Sequence, residues 1–95
     1  MTENELKTIV LRAARNNGWH VYHVPQANMR NGGGRGYPDL TMARDRGGVR
    51  QVMWIELKAE KGELTEEQML WKALLSSYVI RPSDVTSGYL LELLK

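Results

Sequence analysis

The sequence predicts an α/β fold in which a mixed β-sheet is flanked by helices, ordered helix, three strands, helix, strand and a final helix. Three observations carry that reading. Leu6, Ile9, Val10 and Ala13 recur at helical spacing near the N-terminus. Three runs with strand character follow, at residues 19–24, 38–44 and 49–59. A capped helical pattern then separates the third run from a short fourth at residues 78–81, and a strand-helix-strand unit of that length makes its two strands parallel.

Taken in order, the first helix spans residues 3–15, with Thr2 as N-cap and Asn16-Asn17-Gly18 as its stop. The first strand is aromatic and β-branched and is closed by Pro25, which cannot donate to a ladder. A long loop at residues 26–37 leads to the second strand, which begins at Pro38 or Asp39. Asp45-Arg46-Gly47-Gly48 supplies the turn of a hairpin into the third strand. Lys61-Gly62 breaks that strand, and Thr65 caps a second helix whose Met69, Leu70, Ala73 and Leu74 are expected to face a core. Pro82-Ser83 opens a last helix that runs to Leu90, Leu91, Leu93 and Leu94. With 95 residues and no internal repeat, the chain is read as one domain, 1–95, with a modest core.

Composition excludes several classes. There is no cysteine, so neither disulfides, thiolate-bound zinc nor a thiol nucleophile is available. No apolar run approaches the roughly 20 residues of a membrane span, and the N-terminus lacks a signal-peptide pattern, so a soluble intracellular protein is expected. The glycine-rich run Asn31-Gly32-Gly33-Gly34-Arg35-Gly36 has no P-loop lysine and does not join a strand to a helix, which argues against binding a nucleoside triphosphate. It permits close backbone approach to a ligand, or is a plain surface loop. The net charge is only +2, but Arg30, Arg35, Arg44, Arg46 and Arg50 face only Asp39 and Asp45 within residues 29–50. Arginine forks bind phosphate oxygens, so the stretch reads as a phosphate-backbone surface or as a solvated loop and hairpin.

The chemistry concentrates at Pro38-Asp39 and Ile55-Glu56-Leu57-Lys58. Side chains alternate along a strand, so Glu56 and Lys58 point to one side, roughly 7 Å apart, while Leu57 points into the core. Asp39 brings a second acid from a separate segment. Two hard oxygen ligands, with waters and phosphate completing the shell, suit Mg²⁺, and the lysine suits developing negative charge. Taken alone, Glu-x-Lys is also an ordinary surface ion pair.

Two helix residues have double readings. Glu5 lies one turn before Ile9, where it either leans over the sheet toward Asp39 or closes the capping box Thr2-Glu3-Asn4-Glu5, with Glu3 as a competing acid on the other flank. Gln68 either orients a water or phosphate oxygen or closes the box Thr65-Glu66-Glu67-Gln68. His20 and His23 alternate onto opposite faces and read as structural histidines rather than as a shared metal site. Trp19, Trp54 and Trp71 read as packing residues, with Trp54 on the face of Glu56 and Lys58.

Together, Pro38-Asp39 and Glu56-Leu57-Lys58 resemble the PD-(D/E)XK nuclease signature, and the run from Ile55 to Gln68 resembles its VRR-NUC branch, where a glycine and then Ser/Thr-x-x-Gln follow the catalytic strand. The resemblance extends from Glu5 to the strand at residues 78–81. It implies a restriction-endonuclease-like αβββαβ core plus a C-terminal helix, and divalent-metal-dependent DNA cleavage with Mg²⁺ or Mn²⁺. It further implies Asp39, Glu56 and the Leu57 backbone carbonyl as metal ligands, Lys58 as catalytic lysine, and Glu5 and Gln68 as the family's helix glutamate and glutamine. Glu5 is thereby a further candidate ligand, and Arg30, Arg35, Arg44 and Arg46 are candidate DNA contacts.

Stand-alone members of this size resemble Holliday-junction resolvases in fold and in forming homodimers, and occur in viruses and bacteria. The expectation is therefore a cytoplasmic endonuclease, selective for branched DNA and acting as a homodimer in a bacterial or virus-infected cell. Alternatives are a nuclease of flaps or plain duplex, or a non-catalytic DNA-binding module for recombination or repair.

Overall fold

A computed structural model of the chain describes residues 1–23 and 34–95. The N-terminal apolar stripe forms helix α1 (Glu3–Asn16), and the strands are β1 (His20–His23), β2 (Leu40–Arg46), β3 (Val49–Leu57) and β4 (Tyr78–Ile80). Helix α2 (Glu66–Leu75) crosses from β3 to β4, and α3 (Pro82–Thr86) and α4 (Tyr89–Leu94) close the chain. The four strands form one sheet in the order β1-β2-β3-β4. The first three are antiparallel, and β4 runs parallel to β3 as the crossover requires. This is the mixed, helix-flanked sheet of a restriction-endonuclease-like α/β fold.

The β2–β3 hairpin closes through Gly47 and Gly48, both at positive φ (61° and 86°), where a side chain would be strained. Asp45 reinforces the turn, its Oδ1 accepting from the Gly48 N–H at 3.0 Å. From there the register runs back from Arg46↔Val49 to Leu40↔Ile55.

The core occupies one face of the sheet. Leu40, Met42, Ile55, Leu57 and Ile80 meet Leu6, Val10 and Ala14 of α1, Trp19, and Leu90 and Leu94 of α4. Helix α2 instead meets the opposite face, where its Gln68 reaches Glu56, and it has no buried residue. The expectation that Met69, Leu70, Ala73 and Leu74 face a core is therefore corrected: all four are exposed. An apolar helical period reveals that a helix has an apolar face, not which side of a sheet that face meets. The expected single C-terminal helix is likewise two short ones, interrupted at Gly88 with φ 84°. No helix among the described residues is long and apolar enough to cross a membrane.

Candidate active site

The site lies where β2 begins and β3 ends, on the face away from the core. One step beyond the Leu40↔Ile55 pair, Asp39 stands across from Glu56. Oδ2 of Asp39 accepts the backbone N–H of Leu57 at 2.7 Å, tying the acid to the neighbouring strand. Pro38, fully buried, anchors the chain just before it.

Glu56 is only 5% exposed. Burial is the main reason its carboxyl is pushed up to about 9, and hydrogen bonding to Asp39 and the Asp39 charge act in the same direction. Lys58 pulls the other way, and Glu3 adds to the upward push. Glu56 is thus held toward its protonated form against an adjacent carboxylate. Lys58 follows just after β3, yet its N–H still donates to the Ile80 oxygen at 3.1 Å, so the ladder continues and strand alternation puts Lys58 beside Glu56.

Gln68 satisfies both of its readings. Its backbone N–H donates to Thr65 Oγ1 and its Oε1 accepts the Thr65 N–H, completing the cap, while Nε2 donates to Glu56 Oε2 at 3.4 Å. The amide therefore spans the helix start and the buried acid.

What brings α2 to the site was not read from the sequence. Trp71 Nε1 donates to the Arg35 carbonyl at 3.1 Å, and the Tyr37 and Trp71 rings meet edge to face with centroids 5.0 Å apart. Tyr37 OH in turn accepts from Trp54 Nε1 at 3.0 Å and pairs with Thr41 Oγ1 at 3.3 Å. Gly36 lies directly on α2, where a Cβ would come within 2.6 Å of the Glu67 backbone. The residues just before Pro38-Asp39 therefore seat the helix that carries Gln68. The aromatic spacing Tyr37, Trp54, Trp71 was the available signal, but only the tertiary fold shows that the three converge.

A family model, that of the VRR-NUC domain, matches residues 4–84. The chain belongs to the VRR-NUC family. This is a nuclease family, and the matched span carries Asp39, Glu56, Lys58 and Gln68 together. No curated protein and no solved structure matches the chain.

The VRR-NUC domain distributes the remaining candidates unevenly. Glu5 is used in the α1 cap: its Oε1 accepts the Thr2 N–H at 2.8 Å, and its N–H donates to Thr2 Oγ1. That backbone bond, then the Thr2 side chain, lowers the Glu5 pKa. Of the two helix acids it is Glu3, not Glu5, whose charge registers at Glu56. Arg44, expected on a DNA surface, is 7% exposed and faces the core side. Its guanidinium donates to the carbonyls of Asn17, Leu94 and Lys95 and to Gln51 Oε1, and stacks 4.1 Å above the Trp19 ring. It gathers the carbonyl ends of α1 and α4, a structural task that corrects the DNA-contact expectation.

Arg46 is exposed at the far end of β2, about 20 Å of strand from Leu40. Arg35 is exposed three residues before Pro38, and Arg30 lies outside the described residues. His20 and His23 pair with Ala43 and Leu40, on opposite faces of β1, and both are exposed.

Proposed function

We propose that the chain is a divalent-metal-dependent DNA endonuclease that hydrolyses phosphodiester bonds without a covalent enzyme intermediate. The observation that carries this reading is the Asp39–Glu56 pair. A buried acid pressed against a second carboxylate is strained in its ionised form, and a dication replacing the shared proton relieves that strain. The donor set fits such an ion. It offers hard oxygens only, and no group of three or more His, Cys, Asp or Glu side chains placed to hold a metal ion occurs among the described residues. Mg²⁺ and Mn²⁺ tolerate this, because waters and substrate phosphate fill the remaining positions.

Asp39, Glu56 and the Leu57 carbonyl would hold the metal. Bound there, it supplies Lewis-acid polarisation of the scissile phosphate and a more acidic attacking water. Asp39 stays fixed by the Leu57 N–H, so its free oxygen keeps one orientation. Lys58 offsets the charge that develops on the phosphate. Gln68 holds Glu56 by one oxygen and leaves its amide positioned over the site. Glu5 is engaged in the α1 cap, so Glu3, whose charge reaches Glu56, is a further candidate helix acid beside it, and Arg35 is the candidate DNA contact nearest the site among the described residues.

Nicking of a supercoiled plasmid in Mg²⁺ or Mn²⁺ tests the reading. EDTA-sensitive nicking supports it, and DNA binding with no cleavage in either metal would favour the accessory-module alternative. Branched-DNA selectivity and a homodimer belong to the same proposal. The dimer is supported by the exposed Met69, Leu70 and Leu74 of α2, an apolar surface with no partner among the described residues. Symmetric cuts confined to a four-way junction would support a resolvase, whereas equal cutting of junction, flap and linear duplex would refute it.

A further inference from the structure

Lys58 leaves the sheet at the start of a short turn, and the turn is not held by itself. Within it there is one backbone bond, Gly62 N–H to the Ala59 oxygen at 3.1 Å. The rest of its support comes from the end of β4. Nη1 of Arg81 donates to the carbonyls of Ala59 at 2.6 Å, Gly62 at 2.6 Å and Glu60 at 3.3 Å. Arg81 is itself fixed, since its N–H donates to Asp84 Oδ2 at 2.7 Å and Pro82 follows it at the start of α3. Glu60 adds a second tie, accepting the Ser83 N–H at 3.1 Å. The turn also folds back on the lysine, because a Cβ built at Gly62 would lie 3.6 Å from Lys58 Cδ.

The geometry points to Arg81 as a positioning residue for Lys58: by gathering three carbonyls of the turn at 59–62, it fixes the backbone from which the lysine reaches the phosphate. One cation binding three carbonyls is worth more than its hydrogen bonds taken singly, because the turn has only one backbone bond of its own among residues 59–62. An arginine suits the task, as its planar guanidinium presents several N–H donors at once. The sequence signal was faint, a lone arginine ahead of Pro82 with nothing to link it to Lys58.

This inference rests on the nuclease reading, and two measurements keep the two separable. The first is single-turnover nicking by wild type, Arg81→Ala, Arg81→Gln and Arg81→Lys across substrate concentration and salt. We expect Arg81→Ala to slow the maximal rate about 10- to 100-fold, as for a catalytic group displaced by about 1 Å. Half-saturation should move less than about 3-fold and keep its salt slope, and Arg81→Lys should recover part of the rate. An unchanged rate overturns the proposal. So does weaker half-saturation with a shallower salt slope and an intact rate, which would make Arg81 a phosphate contact.

The second is limited trypsin digestion, read as scission after Lys61 at matched thermal stability. Faster scission in Arg81→Ala, or in Arg81→Gln if the alanine variant does not fold, supports the clamp. Protection equal to wild type overturns it. If wild type cleaves no DNA, the nuclease reading falls, while the digestion still decides whether Arg81 holds the turn.

Discussion

Asp39, one residue before β2, accepts the backbone N–H of Leu57 on β3 at 2.7 Å, so one acid of the pair is held by the residue that follows the other. Replacing Asp39 removes a proposed ligand and leaves that N–H without its acceptor. Asp39→Asn keeps an acceptor oxygen in place, and should fold as wild type yet lose cleavage by at least about 100-fold. Lys58→Ala should do the same while DNA binding persists. Plasmid nicking beside gel-shift binding checks both, and wild-type turnover by either variant would contradict the assignment.

Glu56 should make the protein sensitive to alkali when no divalent metal is added. Its folded-state pKa lies above the ordinary carboxylate value, so between about 4.5 and about 9 the folded state holds more protons than the unfolded one. The stability this lends is complete below the unfolded pKa and is lost as pH rises through the folded one. In EDTA the melting temperature should therefore be higher near pH 5 than near pH 9, and Mg²⁺ or Mn²⁺ should narrow the gap. Glu56→Gln should flatten the dependence and raise stability at pH 9 by about 1–2 kcal/mol, roughly 5–10 °C for a domain of this size. A Glu56→Gln melting profile that tracks wild type across pH would remove this account.

Gly36 and Gly34 both have positive φ, 82° and 94°, but only Gly36 lies against another element. Alanine at Gly34 should cost about 1 kcal/mol from backbone strain alone. Alanine at Gly36 should cost about 2 kcal/mol or more and also slow cleavage, because it pushes α2 and Gln68 away from Glu56. Thermal melts and nicking rates of the two variants, compared side by side, decide the matter; equal effects would mean that the contact is unimportant.

Two arginines should separate cleanly. Arg44→Ala should destabilise the fold by about 3 kcal/mol, since it empties a buried position and leaves the Asn17, Leu94 and Lys95 carbonyls without their donor. Arg35→Ala should leave stability unchanged and weaken DNA binding with a smaller salt slope. Denaturant unfolding and salt-dependent binding report the two effects, and reversed outcomes would exchange the roles.

The local signals succeeded where chemistry follows strand parity. Glu56 and Lys58 share a face because they are two apart, and the hairpin turn Gly47-Gly48 announces its own register. Parity does not say which face of the sheet a crossover helix will cover, so Met69, Leu70 and Leu74 were misplaced. Arg44 was illegible for a related reason. An arginine next to the charged turn residues Asp45 and Arg46 looks exposed, and its carbonyl partners lie 27 to 51 residues away, at helix ends whose meeting point only the folded chain defines. The break at Gly88 was legible in principle, since a glycine inside an apolar helical pattern is a recognised interruption. Glu3 and Glu5 share one helical turn, and only the cap geometry separates them.

The β2–β3 ladder has a further consequence. Asp39 meets Glu56 only because the same number of residues separates each from the Gly47-Gly48 turn, counted along two strands that must stay in step. Losing one residue from either strand would turn an acid toward the core and set Pro38 or Leu57 in its place, although nothing near the phosphate had been altered. The hairpin thus acts as a ruler whose zero lies at its tip, and length changes there are tolerable only in matched pairs.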